Sequence, residues 1–263
     1  DAWGEGISPD QIVAQARRMR ELYGFGSIKL KGGVFDPAHE VASIAALAKA
    51  FPGVPLRLDP NANWTLETSI KHAPALNDVL EYYEDPTPGL DGMNELAKHT
   101  TLPLATNMVV TSFEELKQSV RYPGRGPVQV VLSDHHYWGG LRATQTLARI
   151  CETFGLGVSM HSNSHLAPSL IAMTHLAAAV PNLSYACDTH YPWQEEEVAA
   201  EGRVKFVNGS VTVPRTPGLG VTLDREAVRT LHEQYLSCGI RTRNDTAEMK
   251  KYDPSFTGKS PRY

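Results

Sequence analysis

The feature that most restricts the fold is a repeat along the chain: a short apolar run, a polar residue at its end, then an amphipathic helix. Strands are predicted over 27–31, 54–58, 79–83, 102–105, 128–132, 156–160 and 183–187, each a short apolar stretch bounded by turn-forming residues. Helices are predicted from Ser8-Pro9-Asp10 and Asp36-Pro37-Ala38, and over 66–76, 112–120, 141–154 and 169–179. Ser8, Asp36 and Ser112 supply N-caps, and Pro9 and Pro37 stand at the first helical turn. Strand followed by helix at intervals of roughly 23 to 29 residues calls for a parallel sheet with crossover helices. Seven such units favour a closed barrel over an open sheet, because closure covers both edges. The expected fold is therefore α/β, a TIM-like (β/α)7β barrel, with one further strand expected to precede Asp1.

After His190 the pattern changes. Residues 204–213 read as a hairpin around Asn208-Gly209, Pro217-Gly218-Leu219-Gly220 is turn-rich, Asp224 caps a helix over 227–235, and the polar tail from Thr242 reads as loop. The division expected is 1–200 as the barrel catalytic domain and 201–263 as a C-terminal segment packing on it. The 263 residues are 41% hydrophobic and 21% charged with net charge -4, which gives no basis for nucleic-acid binding. No apolar run approaches the ~20 residues of a membrane span, and the first residues, Asp1 to Gly6, lack the basic and apolar parts of a signal peptide. Cys151, Cys187 and Cys238, few and widely spaced, read as reduced thiols of a cytoplasmic protein.

Each predicted strand ends in a group able to do chemistry: Lys29 and Lys31, Asp59, Glu84, Asn107, Asp134, His161 and His190. In a parallel barrel all these ends meet at one mouth. Singly, each has a plain structural explanation as cap, turn residue or solvated edge charge. Lys29 and Lys31 share one strand face, where crowding and burial are expected to lower a lysine's pKa. Asp59, Glu84 and Asn107 are hard oxygen donors suited to Mg2+. Asp134 and His161, from adjacent strands, suit a base and its orienting carboxylate. His161 and His165, four apart, raise zinc as a rival, although the run lacks the intervening glutamate of a hydrolase motif.

The order of these residues resembles the catalytic barrel of the enolase superfamily, and within it the glucarate dehydratase group. The stretches that carry the resemblance are Lys29-Leu30-Lys31-Gly32-Gly33, Leu58-Asp59-Pro60-Asn61, Glu84-Asp85-Pro86, Ala105-Thr106-Asn107-Met108, 134–138, and His161-Ser162-Asn163 with His165. His190, Pro217-Gly218-Leu219-Gly220 and Arg243 fit too, so the resemblance covers nearly the whole chain. Relatives carry an N-terminal capping domain and a first barrel strand that have no counterpart here. They also have a longer acidic loop after Glu-Asp-Pro, where this chain has only Thr87 to Gly92.

The resemblance implies Mg2+-dependent dehydration of a sugar diacid, glucarate or a related hexarate, to a keto-deoxy acid. It implies Lys29, Lys31, Asp134 and His161 as catalytic residues and Asp59, Glu84 and Asn107 as metal ligands. Asn163, His190 and Arg243 are implied as substrate contacts, with the arginine suited to a distal carboxylate. Racemisation or epimerisation on the same site, and a non-catalytic sugar-acid-binding relative, are the alternatives. The expected partners are the small-molecule diacid and further copies of the chain in a homo-oligomer.

Overall fold

The computed structural model describes residues 3–121 and 125–263; Asp1 and Ala2 of the N-terminal stretch lie outside the described residues. Six parallel strands run in sequence order: β1 (Ile28–Lys31), β2 (Leu56–Asp59), β3 (Leu80–Glu84), β4 (Leu104–Thr106), β5 (Val130–Ser133) and β6 (Gly157–Met160). The crossovers are α2 (Pro37–Ala50), α3 (Leu66–Leu76), α4 (Gly89–Leu96), α5 (Phe113–Ser119) and α6 (Leu141–Thr153). Helix α1 (Pro9–Tyr23) precedes β1, and α7 (Ala167–Ala179) follows β6. This is an α/β half-barrel, consistent with part of a TIM barrel.

Local chemistry sets the helix starts. Ser8 accepts from the Gln11 N–H while the Gln11 side chain accepts from Ser8, a reciprocal cap on α1. Asp36 and Ser112 cap α2 and α5 as the sequence predicts. Helix α4 was not predicted. It opens on Gly89 without a side-chain cap and carries Gly92, so neither its start nor its interior has a helix signature.

The sheet is rolled. In a flat sheet, β1 and the segment after β6 would stand about 29 Å apart at ~4.8 Å per strand. Instead the Lys29 Nζ lies 2.5 Å from the Asp188 Oδ2, and the Arg57 Nη1 donates to the Ala186 carbonyl at 2.9 Å. Strand period does the rest. Ile28, Leu30, Leu56, Leu58 and Tyr83 face outward into one helix-covered core with α2, α3 and α4. Val131, Val158 and Met160 face a second core with α6 and α7. The alternate residues Arg57, Tyr82, Ala105, Val130 and Leu132 point into the barrel, where the Arg57 guanidinium lies 4.6 Å from the centre of the Tyr82 ring. One step further along the same inward series come Lys31, Asp59, Glu84, Asn107, Asp134 and His161.

The seventh predicted strand is corrected. Residues 183–187 make only an isolated parallel bridge, Val158 to Leu183. Tyr185 packs edge-on against Tyr82 and Asp188 meets Lys29, so residues three apart both face inward, which a period of two forbids. Among the described residues no strand pairs with the outer edge of β1. The seam between β1 and this segment opens on a cavity of about 960 Å³ whose walls include Met19, Phe25, Met173 and Phe206.

The tail also departs from the expected loop. Helix α8 (Arg225–Cys238) is followed by a short α9 (Asp245–Met249), and the last residues return to the barrel mouth. There the Arg262 N–H donates to the Asn63 carbonyl at 2.7 Å and the Tyr263 hydroxyl to the Val34 carbonyl at 3.0 Å. The Asn208-Gly209 turn is present, with φ of 50° and 74°, and the Gly209 N–H donates to the Tyr23 carbonyl at the end of α1 at 2.7 Å.

Gly33 shows how tightly the mouth is closed. Its φ is +74°, and a Cβ there would overlap the Pro60 carbonyl oxygen and stand 2.8 Å from the Asn63 Cβ. Gly53 has nearly the same φ, +75°, with open space around it. Gly53→Ala is expected to destabilise the protein by about 1–2 kcal/mol for the left-handed backbone alone. Gly33→Ala should lose at least about 2 kcal/mol more, because backbone must move. Urea midpoints of the two variants check the difference, and equal losses would show that the Pro60 turn yields freely.

Candidate active site

The inward-facing strand ends assemble a buried charge cluster. The Lys29 Nζ donates to both Glu84 oxygens at 2.9 Å and to Asp188, and stands 3.7 Å from Asp59. Lys31 donates to Asp59 and, at 3.0 Å, to the Asn61 side chain. Arg57 pairs with Glu81 and, at 3.3 Å, with Asp188. Asp59 and Glu84 are fully buried and Asp188 nearly so.

These contacts overturn the expectation that crowding lowers the lysine pKa. Burial does pull Lys29 down, but the carboxylates of Asp188, Glu84 and Asp59 outweigh it and hold Lys29 well above the ordinary lysine value. It is a fixed cation at neutral pH. Burial pushes Asp59 up, yet Lys31 and Lys29 bring it below the usual carboxylate range. Glu84 goes the other way, raised by burial and then by the charge of Asp59.

The carboxylate oxygens of Asp59, Glu84 and Asp85 lie within 4.8 Å of one another. Asp85 is already engaged: it accepts from the Thr106 hydroxyl at 2.5 Å and from the Asn107 N–H at 2.9 Å, which places the Asn107 turn. The Asn107 side-chain amide then lies 3.5 Å from Glu84. Its nitrogen and oxygen are distinguished only by the bonds they make, so a rotation about the last bond presents oxygen to the same point. The carboxyl groups of Asp59, Glu84, Asp85 and Asp188 gather around Lys29, Lys31 and Arg57 inside the barrel. Hard oxygen donors buried together within 4.8 Å of one another fit a Mg2+ ion that keeps some of its waters. Asp59 and Glu84, with the Asn107 amide beside them, would hold it. Positive φ at Asn61, Ala62 and Asp85, 57°, 57° and 36°, concentrates backbone strain around the same pocket.

The second part of the site is the Asp134 carboxylate. Its Oδ2 lies 3.4 Å from the His161 Nδ1. Its Oδ1 takes the His136 ring Nδ1 at 2.7 Å and the His136 backbone N–H at 2.9 Å. Burial pushes Asp134 up, but these hydrogen bonds win and keep its carboxyl below the ordinary range. His161 is close enough to help lower both Asp188 and His190, so the two parts share one mouth.

The predicted substrate contacts divide. His190 lines the seam cavity with Lys29 and Asp188, edge-on to Trp193, and is lowered by burial and then by Lys29. Asn163 donates to the Tyr137 hydroxyl at 3.1 Å near the rim. Arg243 is not brought to the site: its side chain is 84% exposed and pairs with Asp245. Sequence reasoning passed over Asp188, Arg57 and Asp85. Asp188 could have been found as the acid at the end of the seventh apolar run, where His190 was chosen instead. The His161–His165 zinc pair does not form, since His161 turns to Asp134.

Residues 11–227 match the Enolase C-terminal domain-like family. The chain belongs to that family. It is 56% identical to a probable glucarate dehydratase of Streptomyces coelicolor over 266 aligned residues, covering 100% of this chain and 61% of the relative. It superposes with a TM-score of 0.95 and 63% identity on an enolase of Pseudomonas fluorescens with bound magnesium, potassium and tartrate, covering 100% of this chain and 61% of that one. It is 28% identical to muconate cycloisomerase 1 of Rhodococcus opacus, covering 87% of this chain and 62% of the relative. The chain thus spans about three fifths of the length of these relatives. Among the described residues no helix is long and apolar enough to cross a membrane.

Mg2+ binding should both stabilise the protein and release protons. Burial and the charge of Asp59 push Asp85 up to about 7, from an ordinary 3.8. An acid raised in this way favours the folded form only while it keeps its proton, so this contribution to metal-free stability falls as pH rises from about 4 towards 7. Mg2+ should raise the midpoint of thermal unfolding most near neutral pH and release protons on binding, read by calorimetry in buffers of different ionisation heat. Asp59→Asn should lose most of the Mg2+-dependent shift; an undiminished shift would place the ion elsewhere.

Proposed function

We propose that the protein dehydrates a sugar diacid, glucarate or a related hexarate, to a keto-deoxy acid, as a Mg2+-dependent hydro-lyase of the cytoplasm. The observation that supports the reading is that two basic side chains each meet a buried carboxylate at the strand ends: Lys31 on Asp59 from β1, and His161 on Asp134 after β6. The likeness to a probable glucarate dehydratase supports the substrate class, and the tartrate bound to the Pseudomonas fluorescens enolase is a small dicarboxylate.

The bound Mg2+ would polarise a substrate carboxylate and so acidify the proton on the adjacent carbon. Lys31, or His161 from the opposite face, takes that proton, and the electrons of the C–H bond pass into the carboxylate. Lys29 supplies a fixed positive charge toward the developing anion at no further reorganisation. The bond from the β-carbon to its hydroxyl then breaks, and a proton from His161 lets it leave as water. Asp134 on Nδ1 holds His161 in the tautomer that leaves Nε2 for this work. The enol tautomerises to the ketone. Asn163 and His190 are proposed to contact the substrate.

A racemase or cycloisomerase reading shares the same pair of bases, and the Rhodococcus opacus relative favours keeping it as the second. Product analysis separates the readings: water loss yields a keto-deoxy acid, whereas racemisation returns an epimer. In full-length protein supplied with Mg2+ and a panel of hexarates, His161→Asn and Lys31→Met should each lower kcat by about 10²- to 10⁴-fold. Near-normal turnover in either variant would remove that residue from the proton transfers.

A further inference from the structure

Beside the carboxylate pocket stands a second cluster that the proposed reaction does not use. The turn after β5 carries His135 and His136, the loop before α7 carries His165, and Ser169 sits in the first turn of α7. The ring centres are 4.1 Å apart for His135 and His136, 5.1 Å for His136 and His165, and 5.7 Å for His135 and His165. Imidazoles that each bind one tetrahedral Zn2+ through a nitrogen at ~2.0–2.1 Å have ring centres about 5 Å apart.

The nitrogens are also in the right state. In the neutral ring that donates from Nδ1 to Asp134, the His136 Nε2 carries a lone pair, and it faces the Ser169 hydroxyl at 2.7 Å. His135 Nε2 faces the same hydroxyl at 3.4 Å. A single oxygen thus stands between two ring nitrogens. His165 is 3% exposed and neither of its ring nitrogens has a hydrogen-bond partner. Burial of this kind is costly unless something meets the lone pair. Burial also pushes His165 down to about 4, so it is neutral at pH 7, as a ligand must be. The His136 side chain is 48% exposed, which leaves an entry path for an ion.

We propose that His135, His136 and His165 form a binding site for a borderline-soft divalent transition ion of the Zn2+ class, separate from the oxygen-lined Mg2+ pocket. Nitrogen donors select such an ion over Mg2+, just as the carboxylates select Mg2+. The Asp134–His136 hydrogen bond gives the arrangement in which a carboxylate orients a ligating imidazole. Asp134 also holds His161, so occupancy of the new site bears on the proposed acid–base residue, and that consequence rests on the dehydratase reading. The binding itself does not.

The test is binding of Zn2+ and Co2+ to full-length protein with excess Mg2+ present to fill the carboxylate pocket. One ion per chain is expected, with the intense visible absorption of Co2+ in a tetrahedral nitrogen-rich site. His165→Gln should weaken Zn2+ at least tenfold and abolish that absorption, and Asp134→Asn should weaken it about 10- to 100-fold. Ser169→Ala removes only the hydroxyl that competes for the two nitrogens, so affinity should hold or tighten. Circular dichroism confirms that each variant is folded. Unchanged affinity and spectrum in His165→Gln, or loss of binding in Ser169→Ala, would overturn the site. Because binding is read without turnover, inactivity toward hexarates would leave this result untouched.

Discussion

The contact on which the rest depends is the Lys29 ammonium held among Glu84, Asp188 and Asp59. It joins the first strand, the second, the third and the segment after the sixth, so it ties the two ends of the rolled sheet together where no backbone ladder does. A buried cation lacking these partners would be strongly unfavourable, and so would the carboxylates without it. The same interdependence that makes the cluster weak evidence for stability makes it strong evidence for position. Each group is where it is because every other arrangement strands a charge in a low-dielectric interior. Arg57 repeats the logic one layer down, reaching Asp188 and the Ala186 carbonyl from the middle of β2.

From that tie the chemistry of the mouth follows by simple alternation. Inward positions deep in the barrel are filled by Arg57, Tyr82, Ala105, Val130 and Leu132, which stack and exclude water. At the next inward position on each strand the residues turn polar and ionic. Apart from the ion-paired Arg57, the deep layer is a floor of low polarity beneath a ring of charge, and buried charge acts at greater strength than it would in open solvent. Asp85 shows how the ring is fixed from outside it. By taking the Thr106 hydroxyl and the Asn107 N–H, it uses its own oxygens to aim its neighbours.

Much of this was legible in the sequence because the signals were local. Ser8, Asp36 and Ser112 announce helix starts through their own side chains, and the apolar runs announce strands through their length. What was not legible depends on partners distant in the chain. The direction of the Lys29 pKa depends on Asp188, 159 residues away, and no reading of Lys-x-Lys alone supplies it. Arg57 looks like a solvated charge until burial shows it inside the barrel. Helix α4 lacks a cap and contains glycine, so its existence depends on the packing of Met93 and Leu96 into the core rather than on its own propensity. The irregularity of 183–187 has the same origin: Tyr185 and Asp188 are both drawn inward, and regular strand pairing yields to them. Arg243, chosen by resemblance, is exposed and pairs with Asp245.

Asp134 carries the remaining argument. It presents one oxygen to His161 and the other to His136, and a carboxylate held low in pKa by both cannot favour one imidazole without weakening its hold on the other. The shorter contact is to His136, reinforced by the backbone N–H of the same residue. His161 is held at 3.4 Å, a looser grip. Whatever meets the exposed edge of His136 therefore bears on the same carboxylate that holds His161.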